Sequence, residues 1–482
     1  MSPPSHLVHN MRLPSHSVAA ETPSSKPTSD ATSESANRSS AWPGPKTSYL
    51  LGDLRAAWDD PLKLMGNGAR NYGDLVRFRF GWMHYFLLND ERAVHRVLVE
   101  NAKNYKKSAN YQGLRILLGE GLLTSEGEFW RKQRKLAQPA FHRDCIQNFL
   151  ATFKRCAEDM IARWENEYAD RDVTIDLHAE FMRLTFRVVG LCLLGKDLEG
   201  DASAFGDALN VALVWANEHV ESLLRIPLWV PTPRNLACRS AMRTIEAVVL
   251  GVVAERRRTG IQKPDLLGML MELQDDDGVH MTDKQLRDEL LTLVVAGHET
   301  TANALTFALY RLSQTPEVLT KLRAEVDTAT EDEQALVKLS YNRAVVDETL
   351  RLYPPAWIVE REAIEDDTVG GKVLPKGGTV GISAFILHRN PKYWPDPEVF
   401  QPERFLTPDP DRPKHAYMPF GAGPRTCIGN VFALTEMQIV IAMFVRRFDI
   451  VPQSAEPVAF DAAITLRPKG GLPVKVRLRP SS

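Results

Sequence analysis

The chain has 482 residues, of which 44% are hydrophobic and 25% charged, a balance typical of an ordinary globular protein. Its formal net charge of −2 gives no reason to expect attraction to nucleic acid or to a membrane surface. No run of eighteen apolar residues occurs, so the sequence predicts no transmembrane anchor. The five cysteines are scattered and lack the paired spacing of a metal site, which argues against a disulfide framework and favours a reducing compartment, the cytoplasm.

The N-terminal segment is rich in Ser, Thr, Pro and His and lacks the apolar core of a secretory signal peptide. We predict that residues 1–41 form a disordered leader and that residues 42–482 form a single domain. A transit peptide is the alternative for the leader, but Glu21, Asp30 and Glu34 are acidic and arginines are few.

A small sheet is predicted early in the chain. Residues 74–80 alternate polar and apolar side chains, as a half-buried strand does, and Gly81 and Trp82 then turn the chain into a partner strand at 84–88. Residues 105–123 show no clean period and are predicted to form a loop. Helices dominate later, so the predicted fold class is mainly α with a small β-sheet region (α+β).

Most of the middle of the chain is predicted to be helical. Helical segments are expected over 145–200 and 202–258. Towards the C-terminus, residues 373–387 are predicted to form a hairpin that turns at 375–378, and residues 474–478 a closing strand.

A long central helix is predicted by a capping box, Thr282-x-x-Gln285, followed by helical residues from 283 to about 313. Its middle reads Ala-Gly-His-Glu-Thr-Thr over 296–301. Gly297 costs a helix about 1 kcal/mol relative to alanine, and threonines bend helices by bonding back to the backbone. Because a helix used only for packing gains nothing from this cluster, we expect it to have a function.

A glycine-rich loop over 420–429 holds one cysteine, Cys427, and an apolar, helix-periodic run follows over 432–448. The N-terminus of a helix and a nearby cation both favour a thiolate, and Arg425 lies two residues from the cysteine. The alternative is a buried structural cysteine in a turn.

The loop resembles the haem-ligand signature of the cytochromes P450, Phe-x-x-Gly-x-Arg-x-Cys-x-Gly, and matches it at every fixed position. The resemblance implies the P450 fold, with haem b held between the central helix and the loop, and Cys427 as the axial thiolate ligand of the iron. It also implies that Arg425 binds the cofactor.

The central helix resembles the oxygen-activation motif of the same family. By this resemblance Gly297 leaves a groove for dioxygen, Thr300 donates a hydrogen bond to the distal oxygen, and Glu299 relays protons from solvent. Ala296 becomes a candidate for substrate contact.

Further matches extend the resemblance over roughly residues 42–480. Trp130 and Arg134 lie four residues apart, hence on one helix face, and match the family's propionate-binding pair. Arg361 matches a propionate-binding arginine. His388 is a weaker candidate for the same work, with a structural histidine as the alternative.

Two motifs are expected to shape the pocket from behind and from the side. The family joins Glu348, Arg351 and Arg404 in a buried ionic triad, to which we assign a folding role rather than a catalytic one. Trp357 and Ile358 follow in an extended segment and are candidates for substrate contact.

The resemblance implies a monooxygenase that inserts one atom of dioxygen into a lipophilic small molecule, such as a fatty acid or a terpenoid. No nucleotide-binding loop is visible, so electrons are expected from a separate ferredoxin, flavodoxin-type protein or reductase. Arg131, Lys132 and Lys135 are a candidate docking patch for it, the alternative being an inert solvated face.

A second class of function stays open at this point: a haem-thiolate peroxygenase or isomerase, or a ligand-binding haem protein that does not activate dioxygen. Such proteins tend to lose the acid–alcohol pair of the central helix, which this chain keeps as Glu299 and Thr300.

Overall fold

The computed structural model describes residues 41–46, 51–197, 202–221, 226–261, 263, 265–274, 278–454 and 456–480. The predicted leader lies outside these ranges except for Ala41. Residues 42–482 form one unit, in which Trp42 is buried against Phe86 and donates its indole N–H to the Val373 carbonyl at 2.6 Å.

Helices make up most of the described residues. They are numbered here in chain order: α1 Leu54–Asp59, α2 Pro61–Tyr72, α3 Glu91–His95, α4 Gln112–Leu118, α5 Gly127–Ala137, α6 Arg143–Gln147, α7 Leu150–Glu167, α8 Leu177–Val189, α9 Ala202–Glu221, α10 Pro233–Thr259, α11 Leu266–Glu272, α12 Asp283–Gln314, α13 Pro316–Thr328, α14 Glu333–Leu336, α15 Ser340–Leu352, α16 Ala384–Leu387 and α17 Asn430–Arg447. Short 3₁₀ or π turns connect several of them.

The strands form small sheets at the sides of this helical body. They are β1 Leu75–Phe80, β2 Met83–Leu88, β3 Tyr105–Lys107, β4 Ile175–Asp176, β5 Val359–Ala363, β6 Asp367–Val369, β7 Lys372–Leu374, β8 Thr379–Ile382, β9 Phe448–Pro452, β10 Phe460–Ala462, β11 Leu466–Pro468 and β12 Pro473–Leu478. The largest sheet has the order β1-β2-β8-β5-β3, and the others are β4-β12-β9, β10-β11 and β6-β7. The predicted fold class, mainly α with a small β region, is confirmed.

The predicted early strands are confirmed as β1 and β2, which pair antiparallel from Leu75 opposite Leu88 to Phe80 opposite Met83. The predicted loop over 105–123 is wrong in part, because it contains β3 and α4. The hairpin predicted over 373–387 is also wrong: β7 pairs with β6, whereas β8 joins the large sheet beside β2 and β5. The turn at 375–378 therefore carries the chain from one sheet to another.

The predicted helical stretch over 145–200 is interrupted by the short strand β4. Its residues pair antiparallel with the closing strand β12, Ile175 opposite Val474 and Asp176 opposite Pro473. The Asp176 side chain then accepts the His178 N–H at 3.0 Å and caps the start of α8. Local periodicity could not reveal this strand, because its partner lies some three hundred residues away in sequence.

The central helix α12 is confirmed, with both hydrogen bonds of the predicted capping box formed between Thr282 and Gln285. At a rise of about 1.5 Å per residue, its 32 residues span roughly 48 Å. Most of its side chains between Leu286 and Leu312 are buried, and it packs chiefly against α8, with further contacts to α10, α15 and α17. The helix therefore crosses the core, where it can present a few residues to an internal cavity.

No helix among the described residues is long and apolar enough to span a bilayer.

Candidate active site

One large cavity of about 2100 Å³ lies between the middle of α12 and the cysteine loop. It is lined from one side by Ala296, Gly297 and Thr300, and from the other by Arg425 and Cys427. The two strongest motifs of the sequence therefore face the same space.

The cysteine loop brings its thiol to the cavity wall. The Cys427 N–H donates to the Phe420 carbonyl at 2.9 Å, which closes the loop just before α17, and the side chain is exposed into the cavity. Burial raises the pKa of the Cys427 thiol, whereas the Gly429 N–H and the Arg134 guanidinium oppose this. Arg134 therefore favours the thiolate at Cys427.

A glycine is required in this loop at position 423. Its backbone has a φ of 70°, and a Cβ there would lie 1.9 Å from the Leu98 carbonyl oxygen. The close approach seats the loop against the π turn that follows α3, which fixes the position of Cys427.

Three arginines line the cavity together with one tryptophan. They are Arg134, Arg361 and Arg425, with Trp130. Arg425 stacks over the Trp130 ring at 3.8 Å and donates to the Ser125 carbonyl at 2.9 Å and to the Glu126 carboxylate at 2.5 Å. Burial lowers the pKa of Arg425 to about 10.

The two other arginines of this wall are held by backbone carbonyls. Arg134 donates to the Thr426 carbonyl at 2.9 Å, and Arg361 donates to the Glu360 carbonyl at 2.8 Å. The structure thus brings all four predicted residues together.

Sequence reasoning missed a further member of this wall, Lys107. Its ammonium lies 4.4 Å from the centre of the Tyr111 ring, and burial, together with Arg361 and Arg425, lowers the pKa of Lys107 well below its usual value. Lys107 is the cross-strand partner of Arg361 in the β3–β5 pair. The β3–β5 pairing would have revealed it, but the segment was predicted to be a loop.

The observed cavity fits haem. Lys107, Arg134, Arg361 and Arg425 are at least partly buried, and burial and the neighbouring cations lower the pKa values of Lys107 and Arg425, so a ligand with carboxylates would be favoured beside them. A thiol opens into the same space, the ligand type that binds haem iron in this chemistry. The small residues Ala296 and Gly297 leave room on the α12 side.

The prediction that His388 binds a propionate is corrected by its position. The side chain is fully buried and does not line the cavity. Its Nδ1 lies 3.1 Å from the Arg351 carbonyl and its Nε2 accepts the Met418 N–H at 2.9 Å. Burial lowers the pKa of His388 to about 3, so the ring is a neutral structural connector.

The α12 motif presents its residues differently. The Thr300 hydroxyl lines the cavity and donates to the Ala296 carbonyl at 2.6 Å. Glu299 is buried, also lines the cavity, and accepts the Thr465 hydroxyl at 2.7 Å. A Cβ at Gly297 would lie 3.2 Å from the Val189 side chain, so this glycine also serves the close packing of α12 on α8.

Two residues predicted to contact substrate, Trp357 and Ile358, both line the cavity, but only the Ile358 side chain is exposed to it to any extent. Trp357 is 6% exposed and donates its indole N–H to the Ala463 carbonyl at 2.8 Å, which holds the β10–β11 hairpin in place. Ile358 is half-buried and faces the cavity.

The predicted ionic triad is joined outside the cavity. Arg351 binds the two carboxylate oxygens of Glu348 at 2.6 and 2.8 Å, and both side chains are fully buried. Arg404 lies 3.3 Å from the same carboxylate, and the Gln401 N–H donates to it at 2.8 Å. Arg351 also donates to three backbone carbonyls of the segment that follows α16, those of His388, Pro397 and Val399.

Comparison with known proteins identifies the family of the chain. The family model described as Cytochrome P450 matches residues 43–474. Similar curated proteins include Protein LUTEIN DEFICIENT 5, chloroplastic, of Arabidopsis thaliana, which is 31% identical over 85% of this chain and 72% of its own length. Cyclooctat-9-en-7-ol 5-monooxygenase of Streptomyces melanosporofaciens is 34% identical over 84% of this chain and 88% of its own.

Leukotriene-B4 omega-hydroxylase 3 of Mus musculus is 31% identical over 76% of this chain and 75% of its own length. The family match covers most of the chain, and the relatives include proteins named as a monooxygenase and a hydroxylase. The chain therefore belongs to the cytochrome P450 family of haem-thiolate monooxygenases, with haem b as its cofactor.

Proposed function

We propose that this monooxygenase inserts one atom of dioxygen into a fatty acid or a terpenoid-like lipid, with Cys427 as the thiolate ligand of its haem. The observation that carries the proposal is the single cavity shared by the Cys427 thiol and the α12 motif. Apolar side chains dominate its walls, among them Leu114, Leu123, Phe141, Val189, Leu293 and Val295. Such a lining suits a lipophilic substrate.

The names of two relatives support these substrate classes. One is called a hydroxylase of leukotriene B4, a fatty-acid derivative, and the other a monooxygenase of cyclooctat-9-en-7-ol, a cyclic alcohol of the terpenoid type. The two names point to different lipid classes, so the choice between them is left to experiment.

The cationic wall supplies the partners for the haem propionates. We assign this work to Trp130, Arg134, Arg361 and Arg425, with Lys107 added on its position beside Arg361. When bound, the haem supplies the oxygen chemistry, and a thiolate ligand favours O–O cleavage.

The α12 motif supplies the groups that transfer protons and the small residues that leave room in the cavity. Thr300 carries a hydroxyl that rotation can turn from the Ala296 carbonyl into the cavity, and Glu299 is the acid beside it. Gly297 and Ala296 leave the cavity open above the haem position, and Ile358 contacts the substrate from the side. One oxygen atom enters the substrate, and the other leaves as water with protons from solvent and electrons from a redox partner.

The electron donor is proposed to be a separate ferredoxin, flavodoxin-type protein or reductase, which docks on the exposed face of α5. Arg131, Lys132 and Lys135 are exposed there, on the helix that sends Trp130 and Arg134 to the cavity. We place the enzyme in a reducing compartment, the cytoplasm, because all five cysteines are unpaired thiols.

The test is a visible-absorption titration of the ferric protein with a long-chain fatty acid and, separately, with a terpenoid panel. A shift from low to high spin is expected with at least one class, because a ligand that fills the cavity would exclude water from the haem site beside Cys427. Ile358→Phe narrows the cavity and should weaken the responding ligand several-fold, whereas Ile364→Phe, at an exposed position outside the cavity, should not.

A shift with fatty acid alone would identify chain hydroxylation, and a shift with terpenoids alone would identify terpenoid oxidation. Absence of any shift with both classes would contradict the proposed substrates, and absence of a haem absorption band would contradict the site itself.

A further inference from the structure

The carboxylate of Glu299 is held by a hairpin that lies outside the α12 motif. Thr465 lies in the turn between β10 and β11 and donates its hydroxyl to Glu299 Oε1 at 2.7 Å. Arg467 reaches the same oxygen at 3.7 Å and binds Asp461 at 2.9 Å. The β10–β11 hairpin therefore supplies both groups that fix this oxygen.

Thr465 is itself oriented by two further side chains. Asn303, one turn after Glu299 on α12 and fully buried, donates its amide to the Thr465 hydroxyl at 3.2 Å. The amide oxygen of Asn303 lies 2.7 Å from Nε2 of His178, in the first turn of α8. Because the Thr465 oxygen accepts from Asn303, its single proton is left to point at Glu299.

The direction of this series of hydrogen bonds follows from which groups can donate and which can only accept. An amide oxygen accepts only, so Nε2 of His178 carries the proton in this contact. Every donor then points towards Glu299, from His178 to Asn303 to Thr465. The arrangement favours one orientation of the carboxylate and one direction of hydrogen bonding over the reverse.

We propose that His178, Asn303 and Thr465 form a clamp that positions Glu299 for proton delivery, with Thr465 as the residue that touches it. The clamp holds one carboxylate oxygen of Glu299 on the hairpin, while Glu299 also lines the cavity. Arg467 and Asp461 have side chains that are 33% and 40% exposed, so the held oxygen lies close to solvent, from which Glu299 regains the proton it passes inward. The Arg467 guanidinium only holds the oxygen, because it does not give up a proton.

The proposal rests on the proposed role of Glu299 and adds three residues: Asn303 on α12 itself, His178 on α8 and Thr465 on the β10–β11 hairpin. The clamp acts on the orientation of the Glu299 carboxylate. Without the Thr465 hydroxyl the carboxylate loses its nearest donor and the Asn303 amide loses its acceptor, so the Glu299 carboxylate is no longer held in one orientation.

The test compares Thr465→Val with Thr465→Ser in the haem-loaded enzyme, driven by a surrogate ferredoxin and its reductase. Thr465→Val should lower product formed per electron consumed at least threefold and raise the solvent isotope effect on turnover, and Thr465→Ser should restore both. Thr306→Val is the matched control, because Thr306 is also a buried threonine but donates to the Ala302 carbonyl of its own helix.

A readout independent of turnover comes from infrared spectra, in which the Glu299 carboxylate band is assigned by its loss in Glu299→Gln. The band should move in Thr465→Val and return in Thr465→Ser, because it reports the hydrogen bond directly. A band unchanged by Thr465→Val would overturn the clamp, as would unchanged coupling.

Two further variants separate the possible failures. If Glu299→Gln itself keeps full coupling, the role of Glu299 in the proposed function is wrong, and the clamp falls with it. If Glu299→Gln uncouples and Thr465→Val does not, only the clamp is wrong. Should Thr465→Val fail to bind haem, His178→Leu, at a half-buried position, must show the same uncoupling to a smaller degree, and wild-type coupling there overturns the proposal.

Discussion

At the scale of one residue, Glu289 is a buried carboxyl group whose pKa is shifted by its surroundings. It lies on α12 with no exposed surface, and its Oε2 accepts the Leu122 N–H at 3.0 Å. Among the described residues, its Oε1 has no hydrogen-bond partner. Burial raises the pKa of Glu289 from 4.5 to about 8, with Asp288 adding to the effect and the Leu122 N–H opposing it.

This environment makes stability depend on pH. The folded state keeps the Glu289 proton up to a pH of about 8, whereas the unfolded chain loses it near 4.5, so the free energy of unfolding falls as pH rises between these values. For one proton the slope reaches about 1.4 kcal/mol per pH unit. Glu289→Gln removes this contribution, and its advantage over the wild type in melting temperature should grow from pH ~5 to pH ~8.

Glu128→Gln is the matched control, since Glu128 is on the surface of α5, with its side chain 76% exposed. This variant should keep the wild-type pH dependence. The contrary result is a difference in melting temperature between Glu289→Gln and wild type that stays constant from pH ~5 to pH ~8. It would show that Glu289 is ionised in the folded protein.

The residues of the site differ in how far sequence could place them. Cys427 sits in a short motif with its own backbone requirements, and so does Thr300, so local pattern was enough to bring both to one cavity. Lys107 reaches the site through pairing with a distant strand, which no local pattern encodes. The contact of Thr465 with Glu299 likewise joins residues far apart in sequence. His388 was misplaced for the converse reason: its partners are backbone groups, which leave no trace in the sequence around it.

At the scale of elements, the ionic triad ties α15 to the 3₁₀ turn Pro402–Phe405. The Glu348 carboxylate accepts hydrogen bonds from Arg351 and the Gln401 N–H, and forms an ion pair with Arg404 at 3.3 Å. Arg351 then reaches the carbonyls of Pro397 and Val399, so one helix organises the irregular segment that leads to the cysteine loop. Removing the carboxylate would leave two guanidinium groups without their counter-ion.

Glu348→Ala should therefore lower the free energy of unfolding by about 3–5 kcal/mol, the usual cost of breaking a buried ion pair. The haem content of the purified protein should fall with it, since the cysteine loop follows the segment that the triad holds. Thermal unfolding and the haem-to-protein absorbance ratio measure the two effects.

Glu365→Ala provides the comparison, because Glu365 pairs with Lys376 at 2.8 Å on the surface, where both side chains are more than 60% exposed. Its loss should cost at most about 1 kcal/mol and leave haem content unchanged. Equal effects of the two substitutions would refute a folding role for the triad.

The elements themselves were predictable where their signals are local. The capping box and uninterrupted helical pattern gave α12 to within a residue or two at each end, and alternation gave β1 and β2. The wrong hairpin over 373–387 has a physical cause: β7 and β8 are both short and apolar, and only their partners, β6 and β2, decide that they belong to different sheets. Pairing between distant strands is a tertiary choice that periodicity does not carry.

At the scale of the whole molecule, the net charge of −2 conceals an uneven distribution. The inner face of α5 sends Trp130 and Arg134 to the cavity, while its outer face exposes Arg131, Lys132 and Lys135. Under the proposed function, a donor that docks on this face would stand behind Trp130 and Arg134, which would give electrons a short path into the site. An acidic carrier would be steered to this face over about one Debye length, roughly 8–10 Å at moderate salt.

Reversal of charge at Lys132 and Lys135 should therefore slow reduction of the haem by an acidic ferredoxin at least several-fold at low ionic strength, and the difference should shrink as salt is added. Stopped-flow reduction measures the rate, and an unshifted spin-state titration shows that the cavity is intact. Lys263→Glu, an exposed reversal between α10 and α11, should leave the rate as in the wild type. A low-salt rate unaffected by reversal at α5 would mean that the carrier approaches another face, because steering acts only on charges near the docking surface.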